Sequence, residues 1–100
     1  MTTAAPVSEL PGVPTISEFL PGFEASAWYG VGSPKGTPAD VIGKLNRAIN
    51  GALADAKIHA RLNELGCTVI PGSPADFGQL IADETEKWGR VVKFSGAKAE

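Results

Sequence analysis

Three glycines that stand close together, Gly30, Gly32 and Gly36, suggest chemistry by their type and spacing, because glycine-rich loops bind phosphate groups. The spacing matches neither common nucleotide motif. The third glycine stands one residue too late for GxGxxG, and no Lys-Ser or Lys-Thr pair follows it as a Walker A loop requires. Pro34 also removes one backbone N–H from the loop. We therefore interpret the loop as a turn between two elements and expect no cofactor.

The single cysteine, Cys67, and the single histidine, His59, limit thiol, imidazole and metal chemistry. One cysteine excludes an intramolecular disulfide and a cysteine-based metal cluster. Cys67 begins an apolar run that ends at Ile70, and we interpret it as a small buried hydrophobic residue rather than a reactive thiol. His59 has no second histidine or carboxylate pair at ligand spacing, and we interpret it as a solvated helix residue. We predict no metal site.

A run of carboxylates at Asp83, Glu84 and Glu86 has the residue types for acid–base catalysis. Lys87 and Arg90 follow at the i,i+4 spacing of helix-surface ion pairs, Asp83–Lys87 and Glu86–Arg90. That spacing favours a solvated helix face over a catalytic site. The sequence also contains no GxSxG motif. We predict no catalytic residue and no enzyme activity.

The charge and composition of the chain exclude two further classes of function. The net charge is −2, and Lys and Arg are scattered among Asp and Glu, so no basic stripe is available to neutralise nucleic-acid phosphates. No apolar run approaches the ~20 residues of a membrane helix, and the N-terminus lacks the basic and apolar regions of a secretory signal. A hydrophobic content of 43% with 20% charged residues is typical of a globular protein.

Because residues 1–5 run into proline-rich chain without a cap or turn, we expect the sequence to begin partway through a larger unit.

The elements that must position these residues are marked by prolines, caps and apolar periodicity. Four prolines interrupt residues 1–22, where Thr15 and Glu18 predict a capping box and one or two helical turns. Apolar runs predict strands at residues 23–31 and 67–70. Amphipathic spacing predicts helices at about 38–54, 55–65 and 74–94.

The predicted helices have specific start and stop signals. Thr37 is expected to cap the first helix with Pro38 at its first position, and Asp55 to cap the second. Ser73 opens the third helix in Ser73-Pro74-Ala75-Asp76, which repeats the earlier start almost letter for letter. Gly66 is expected to end the second helix in left-handed geometry, and Gly96 to end the third.

This element order predicts an α/β fold with three helices packed on a short sheet. Two strands do not make a stable sheet alone, so residues 1–5, another chain, or chain outside this sequence must complete it. We divide the sequence into an irregular crossing segment with a short helix at 1–22, an α/β unit at 23–96 and a loose tail at 97–100.

A series of short motifs stands in a fixed order along the chain. The motifs are Val13-Pro14-Thr15-Ile16-Ser17-Glu18, Leu20-Pro21-Gly22-Phe23-Glu24, Trp28-Tyr29-Gly30, Pro34-Lys35-Gly36-Thr37-Pro38, Leu45-Asn46, Leu65-Gly66, Pro71-Gly72-Ser73-Pro74 and Trp88-Gly89-Arg90-Val91-Val92-Lys93. Together they resemble the C-terminal third of the Bug/TctC-type receptors, the extracytoplasmic solute-binding proteins of tripartite tricarboxylate transporters. The resemblance runs from about residue 1 to residue 96, and the order of the motifs is more specific than any single motif.

The resemblance implies a partial periplasmic-binding-protein type II domain in a periplasmic receptor that passes small carboxylates to membrane permease subunits. It implies no enzyme activity. Family members are longer than this sequence, and most of their ligand-binding residues lie upstream of the matching segment. Trp28 and Tyr29 are the residues here that would reach the ligand cleft; the alternative is that they are core aromatics joining strand to helix.

Two further interpretations concern the assembly of this chain. A segment separated from its packing partner exposes apolar surface, so we expect a homodimer or higher oligomer. The alternative function is a free-standing small α/β interaction module without a transport role, which predicts a surface that is polar and free of apolar patches.

Overall fold

The structure is a computed structural model that describes residues 1–99. The regular secondary structure of these residues is helical. A short 3₁₀-helix covers Ile16–Glu18. Three α-helices follow: α1 at Ala39–Ala54, α2 at Ala56–Glu64 and α3 at Pro74–Ser95. Helix α1 packs against both α2 and α3 and is therefore the central element. No helix in the described residues is both long and apolar enough to cross a membrane.

The caps of α2 and α3 confirm the sequence predictions. The carboxylate of Asp55 accepts hydrogen bonds from two backbone N–H groups in the first turn of α2, at 3.0 and 3.2 Å. At the start of α3 the Ser73 hydroxyl accepts from the Asp76 N–H at 3.1 Å, and the Asp76 carboxylate accepts from the Ser73 N–H at 2.9 Å. Gly66 and Gly96 follow the two helices with φ of 78° and 69°, which side chains other than glycine rarely adopt.

The predicted cap of α1 is wrong. Pro38 occupies the N-cap position and the helix begins at Ala39. The Thr37 hydroxyl donates to the Pro34 carbonyl at 2.7 Å and closes the preceding turn. A threonine hydroxyl can form a hydrogen bond within a turn or can cap the start of a helix, so local sequence alone does not determine which of the two bonds forms.

The predicted α/β class is contradicted, because the residues that the structure describes contain no strand. Residues 23–34 and 67–73 run without helix or turn, as a strand would, and the three predicted helices are present. Ladder partners are missing: between residues 26 and 33, and between 68 and 70, no backbone N–H donates a hydrogen bond within the described chain. Backbone becomes a strand only when another segment supplies the pairing groups.

Residues 1 and 2 do not complete a sheet, although they fold back on the chain. The Met1 carbonyl accepts from the Ile16 N–H at 2.9 Å, and the Thr2 carbonyl accepts from the Ala25 N–H at 2.9 Å. These isolated bonds hold the N-terminal segment around Thr15, which is 2% exposed. The backbone N–H of Thr15 also donates to the Glu18 carboxylate at 3.1 Å, as the predicted capping box requires.

Large apolar side chains remain open to solvent throughout the described chain, and Thr15 is the one buried residue there. The chain exposes 8064 Å², whereas a folded monomer of 10.3 kDa exposes about 5,400 Å². The radius of gyration is 16.5 Å, compared with about 13 Å for a compact domain of this length. The helices therefore pack along one side of a group of apolar side chains, and the described chain leaves the other side of that group exposed to solvent.

Candidate functional site

The described structure contains an open hollow of about 1590 Å³. It is larger than the roughly 300–1,000 Å³ of a usual small-molecule pocket. Its wall is built by residues 3–9, Glu24, residues 26–33, the inner face of α1, part of α2, residues 65–73 and the first turns of α3. Helix α1 contributes its predicted apolar stripe through Ile42, Leu45, Ile49 and Leu53.

Trp28, one of the two predicted ligand residues, lines this hollow and packs against α3. Its ring meets the Phe77 ring edge to face, with centroids 5.5 Å apart and planes at 88°. Such a pair contributes about 0.5–1.5 kcal/mol beyond its buried area. Gly30 lies against the same ring, and a Cβ atom added at this position would overlap Phe77. The aromatic pair and the glycine together hold residues 26–33 on α3.

Tyr29, the other predicted ligand residue, also lines the hollow but is 92% exposed. Its hydroxyl makes no hydrogen bond within the described part of the chain. Trp28 is 39% exposed. The structure therefore brings both predicted residues to one hollow, where Trp28 packs on a helix and Tyr29 leaves its ring and hydroxyl open.

Two asparagines on α1 fix the opposite wall of the hollow. The side-chain amides of Asn46 and Asn50 both donate to the Gly72 carbonyl, at 2.8 and 2.9 Å. The Gly72 N–H donates back to the Asn50 oxygen at 3.4 Å. We call these bonds the amide clamp. It joins α1 to the segment that precedes α3 and so positions the start of α3 against α1.

Sequence reasoning missed both the amide clamp and the contact between Gly30 and Phe77. The clamp had a signal, because Asn46 and Asn50 share one helix face at i,i+4 spacing. The partner, a backbone carbonyl beyond the end of α2, carries no side-chain signature. The Gly30 contact had a weaker signal, since a glycine in an apolar run often marks a close approach of another group.

The charges that line the hollow are acidic. Glu9, Glu24 and Asp76 lie in its wall, and no Lys or Arg does among the residues described. The backbone N–H and hydroxyl of Ser73 hold the pKa of Asp76 below its ordinary value, so this carboxyl stays ionised. Because no Lys or Arg side chain lies in the described wall, these charges disfavour an anionic ligand that lies in the hollow of this chain alone.

The other chemically suggestive residues form no reactive cluster in the described chain. His59 Nδ1 lies 3.1 Å from the Asn63 amide one turn along α2, and Cys67 is half-buried at the hollow wall. Residues 1–99 contain no group of three His, Cys, Asp or Glu side chains placed to hold a metal ion. On α3, Glu86 pairs with Arg90 at 3.7 Å as predicted, but Lys87 approaches Glu84 at 3.9 Å.

The predicted Asp83–Lys87 ion pair is therefore wrong. Asp83 accepts from Gln79 at 2.8 Å, one turn earlier. Lys87 lies over the Trp88 ring, 5.5 Å from its centroid, where the ring face attracts the cation.

Comparison with known proteins gives one consistent family. The family model for the "Tripartite tricarboxylate transporter family receptor" matches residues 2–97. A "UPF0065 protein in tcbD-tcbE intergenic region" of Pseudomonas sp. (strain P51) is 43% identical over 86 residues, which are 84% of this chain and 26% of that protein. "Protein BugT" of Bordetella pertussis is 39% identical over 92 residues, 91% of this chain and 28% of that protein.

A third relative differs in the share of its length that is matched. The "UPF0065 protein in clcB-clcD intergenic region" of Pseudomonas knackmussii is 30% identical over 94 residues, which are 92% of this chain and 56% of that protein. The chain thus spans about a quarter to just over half of these relatives. No solved structure matched it.

Proposed function

The chain belongs to the tripartite tricarboxylate transporter receptor family, and from this premise we propose that it is the C-terminal part of a periplasmic receptor that captures small carboxylates. The observation that supports the proposal is the family match over residues 2–97. In the whole receptor, the bound acid passes to membrane permease subunits. The role is binding and delivery, so the chain is not an enzyme.

We propose that most ligand contacts come from receptor polypeptide outside this chain. The chain corresponds to 26% and 28% of two of its relatives, so most of their residues have no counterpart here. The acidic wall of the hollow supports the same proposal, because among the described residues it offers a carboxylate no Lys or Arg partner. Residues 1–22 then serve as a crossing segment and residues 23–96 as one unit of the receptor.

Trp28 and Tyr29 are proposed as the residues of this chain that reach the ligand. The hydroxyl of Tyr29 is free to donate to a carboxylate, and 92% of the residue is open. Trp28 is anchored by Phe77 and presents its remaining surface to the same hollow. In this arrangement Trp28 provides a fixed wall and Tyr29 provides a hydrogen bond.

The alternative of a free-standing interaction module receives no support from the surface. That function predicts few exposed apolar side chains, but Phe19, Tyr29, Ile70 and Phe94 are all more than 75% exposed. We propose instead that the isolated chain self-associates as a homodimer or higher oligomer when the rest of a receptor is absent.

The proposed function is tested with a chimeric receptor. Residues 2–97 of this chain replace the matching region of BugT from Bordetella pertussis, and thermal unfolding is followed with citrate, malate, glutamate and benzoate. An acid present at 100 times its dissociation constant stabilises the native chimera by about 2.7 kcal/mol. We expect such a saturable shift with at least one acid, and none with the isolated chain.

Unmodified BugT is the matched control. A chimera that folds as well as this parent but fails to bind an acid that the parent binds would contradict the proposal. A Tyr29→Phe chimera retains the ring and loses the hydroxyl, so we expect it to bind the same acid roughly 2- to 10-fold more weakly.

A further inference from the structure

Asn50 is the one asparagine of this chain that is followed by glycine. The other two, Asn46 and Asn63, precede larger residues. The backbone nitrogen of the residue after an asparagine can attack the side-chain amide carbon. Glycine favours this attack, because it has no side chain to block the approach and its backbone adopts the widest range of dihedral angles. Residue type and order therefore give the Asn50–Gly51 pair the chemistry of spontaneous deamidation.

The reaction joins the side chain of Asn50 to the backbone of Gly51. The Gly51 nitrogen loses its proton to a base in solvent and forms a bond to Asn50 Cγ. The bond between Cγ and Nδ2 breaks, and Nδ2 takes a proton from solvent and leaves as ammonia. Water then opens the resulting succinimide ring at either carbonyl and gives aspartate or isoaspartate. No atom is oxidised or reduced, and the solvent supplies the water that is consumed.

The fold engages both reacting groups in other bonds. Asn50 Nδ2 donates to the Gly72 carbonyl at 2.9 Å and to the Asn46 oxygen at 3.3 Å, and Asn50 Oδ1 accepts from the Gly72 N–H at 3.4 Å. Gly51 lies within α1, where a backbone N–H donates to the carbonyl four residues earlier and retains its proton. Ring closure therefore requires the amide clamp and the last part of α1 to open.

The end of α1 is the part of this helix that opens most readily. Gly51 is exposed and stands in the last turn of α1, which ends at Ala54. Glycine weakens a helix relative to alanine, and helix termini open at a lower free energy than helix centres. The amide clamp ties this end of α1 to the segment that precedes α3. The strength of the clamp therefore sets how often Asn50 becomes reactive.

We propose that the Asn50–Gly51 pair is a site of spontaneous deamidation that the amide clamp protects, and that deamidation there releases α1 from the segment before α3. The inference goes beyond the proposed function, because the reaction needs no ligand and no other protein. It assigns the clamp a second role: the bonds that position α3 also preserve the chemical identity of one of their own donors.

Either product leaves the clamp open. An aspartate in place of Asn50 has no N–H to donate, and its carboxylate faces the Gly72 carbonyl, so two acceptors repel each other. Isoaspartate places an additional methylene in the main chain and breaks the hydrogen-bond register of α1. Both products also add a negative charge to the wall of the hollow, where Glu9, Glu24 and Asp76 already lie.

Peptide mapping by mass spectrometry measures the reaction at each asparagine. Trypsin cuts after Lys and Arg, so Asn46 falls in residues 45–47, Asn50 in 48–57 and Asn63 in 62–87. The whole chain is incubated in mildly alkaline buffer with and without urea. In urea we expect Asn50 to convert fastest of the three. In buffer we expect it to convert at least about tenfold more slowly than in urea, which corresponds to an opening free energy of about 1.4 kcal/mol.

Gly51→Ala tests the assigned chemistry. A Cβ at this position meets no atom within 4 Å, so the helix accepts the substitution. In urea, where the helix is absent, we expect Asn50 of this variant to convert as slowly as the other two asparagines. The proposal is overturned if Asn50 of the wild-type chain converts no faster in urea than Asn46 and Asn63, or converts as fast in buffer as in urea.

Asn46→Ala tests the protection. It removes the second donor to the Gly72 carbonyl and the acceptor at 3.3 Å from Asn50. In buffer we expect Asn50 to convert about 2- to 5-fold faster than in the wild-type chain, and at the wild-type rate in urea. Alanine is a better helix former than asparagine, so faster conversion reports the lost clamp and not fraying of α1. Asn63→Ala is the matched control and should stay within about twofold of wild type. Equal survival of Asn50 in Asn46→Ala and wild type would refute the protection.

Asn50→Asp tests the consequence of the reaction, because it carries the aspartate product in the whole chain. We expect its urea midpoint to lie below that of Asn50→Ala, since repulsion from the Gly72 carbonyl adds to the lost donors. Asn63→Asp compared with Asn63→Ala on α2 measures the general cost of aspartate near the end of a helix. A difference between the Asn50 variants no larger than this control difference would refute release of the clamp by repulsion.

Discussion

Removal of the amide clamp is expected to destabilise the attachment of α1 to the segment that precedes α3. Asn50→Ala deletes a donor at 2.9 Å from the Gly72 carbonyl, a longer bond at 3.4 Å in which Asn50 accepts from the Gly72 N–H, and a bond at 3.3 Å to the Asn46 side-chain oxygen. The carbonyl keeps Asn46 at 2.8 Å, so it is not left unpaired. At about 0.5–1.5 kcal/mol for a neutral hydrogen bond, with the long bond at the low end, the expected loss is about 1–1.5 kcal/mol. Asn46→Ala removes one bond to this carbonyl and the acceptor of the 3.3 Å bond from Asn50, and should cost about 0.5–1 kcal/mol.

The double variant distinguishes a clamp from two independent bonds. With both asparagines replaced, the half-buried Gly72 carbonyl loses both side-chain donors, which costs about 1 kcal/mol more than the loss of either one. The bond at 3.3 Å between the two asparagines is lost in either single variant and is counted twice in their sum, so the double loss should exceed that sum by about 0.5 kcal/mol. Urea unfolding followed by circular dichroism measures each loss, at one protein concentration because self-association makes stability depend on concentration.

Asn63→Ala is the matched control, since its amide contacts His59 on the same helix; it should cost less than about 0.5 kcal/mol. Strict additivity, or an Asn50→Ala loss no larger than the control, would show that the clamp does not hold α3 in place.

Two further predictions concern the wall of the hollow. Gly30→Ala introduces a Cβ that overlaps the Phe77 ring, so the Trp28–Phe77 contact should weaken by about 1 kcal/mol and Phe77→Leu should relieve the overlap. The weakened contact should be visible as lost proton–proton contacts between the two rings in NMR spectra. Unchanged aromatic contacts in Gly30→Ala would contradict this packing. The second concerns acid: the folded pKa of Asp76 lies below its ordinary value of 3.8, chiefly because the Ser73 N–H donates to the carboxylate. Its stabilisation is therefore complete above that value and disappears as the pH falls through the folded pKa. The wild-type chain should lose more stability between pH 6 and pH 2 than Asp76→Asn, in which the other acids still titrate, and equal losses in urea titrations would count against the capping interaction.

The sequence by itself determined the helices and the family. Asp55 and Ser73 were identified as caps because a cap bonds to N–H groups within three residues, so its chemistry is complete within a short window. The apolar stripe of α1 predicted its inner face for the same local reason. Thr37 shows the limit of that reasoning, since its hydroxyl had two local partners available and bonded to the turn.

Tertiary structure alone decided what happened to the apolar runs at residues 23–31 and 67–70. Their composition predicted strands, but a strand exists only when a distant segment pairs with its backbone, and the described chain supplies no such segment. For the same reason the sequence did not predict that Asn46 and Asn50 bond to the Gly72 carbonyl, or that Gly30 contacts the Phe77 ring. Helical hydrogen bonds join residues four positions apart, so the local sequence predicts them. Strand pairing and side-chain packing join residues that are far apart along the chain, and nothing in the local sequence identifies the partner.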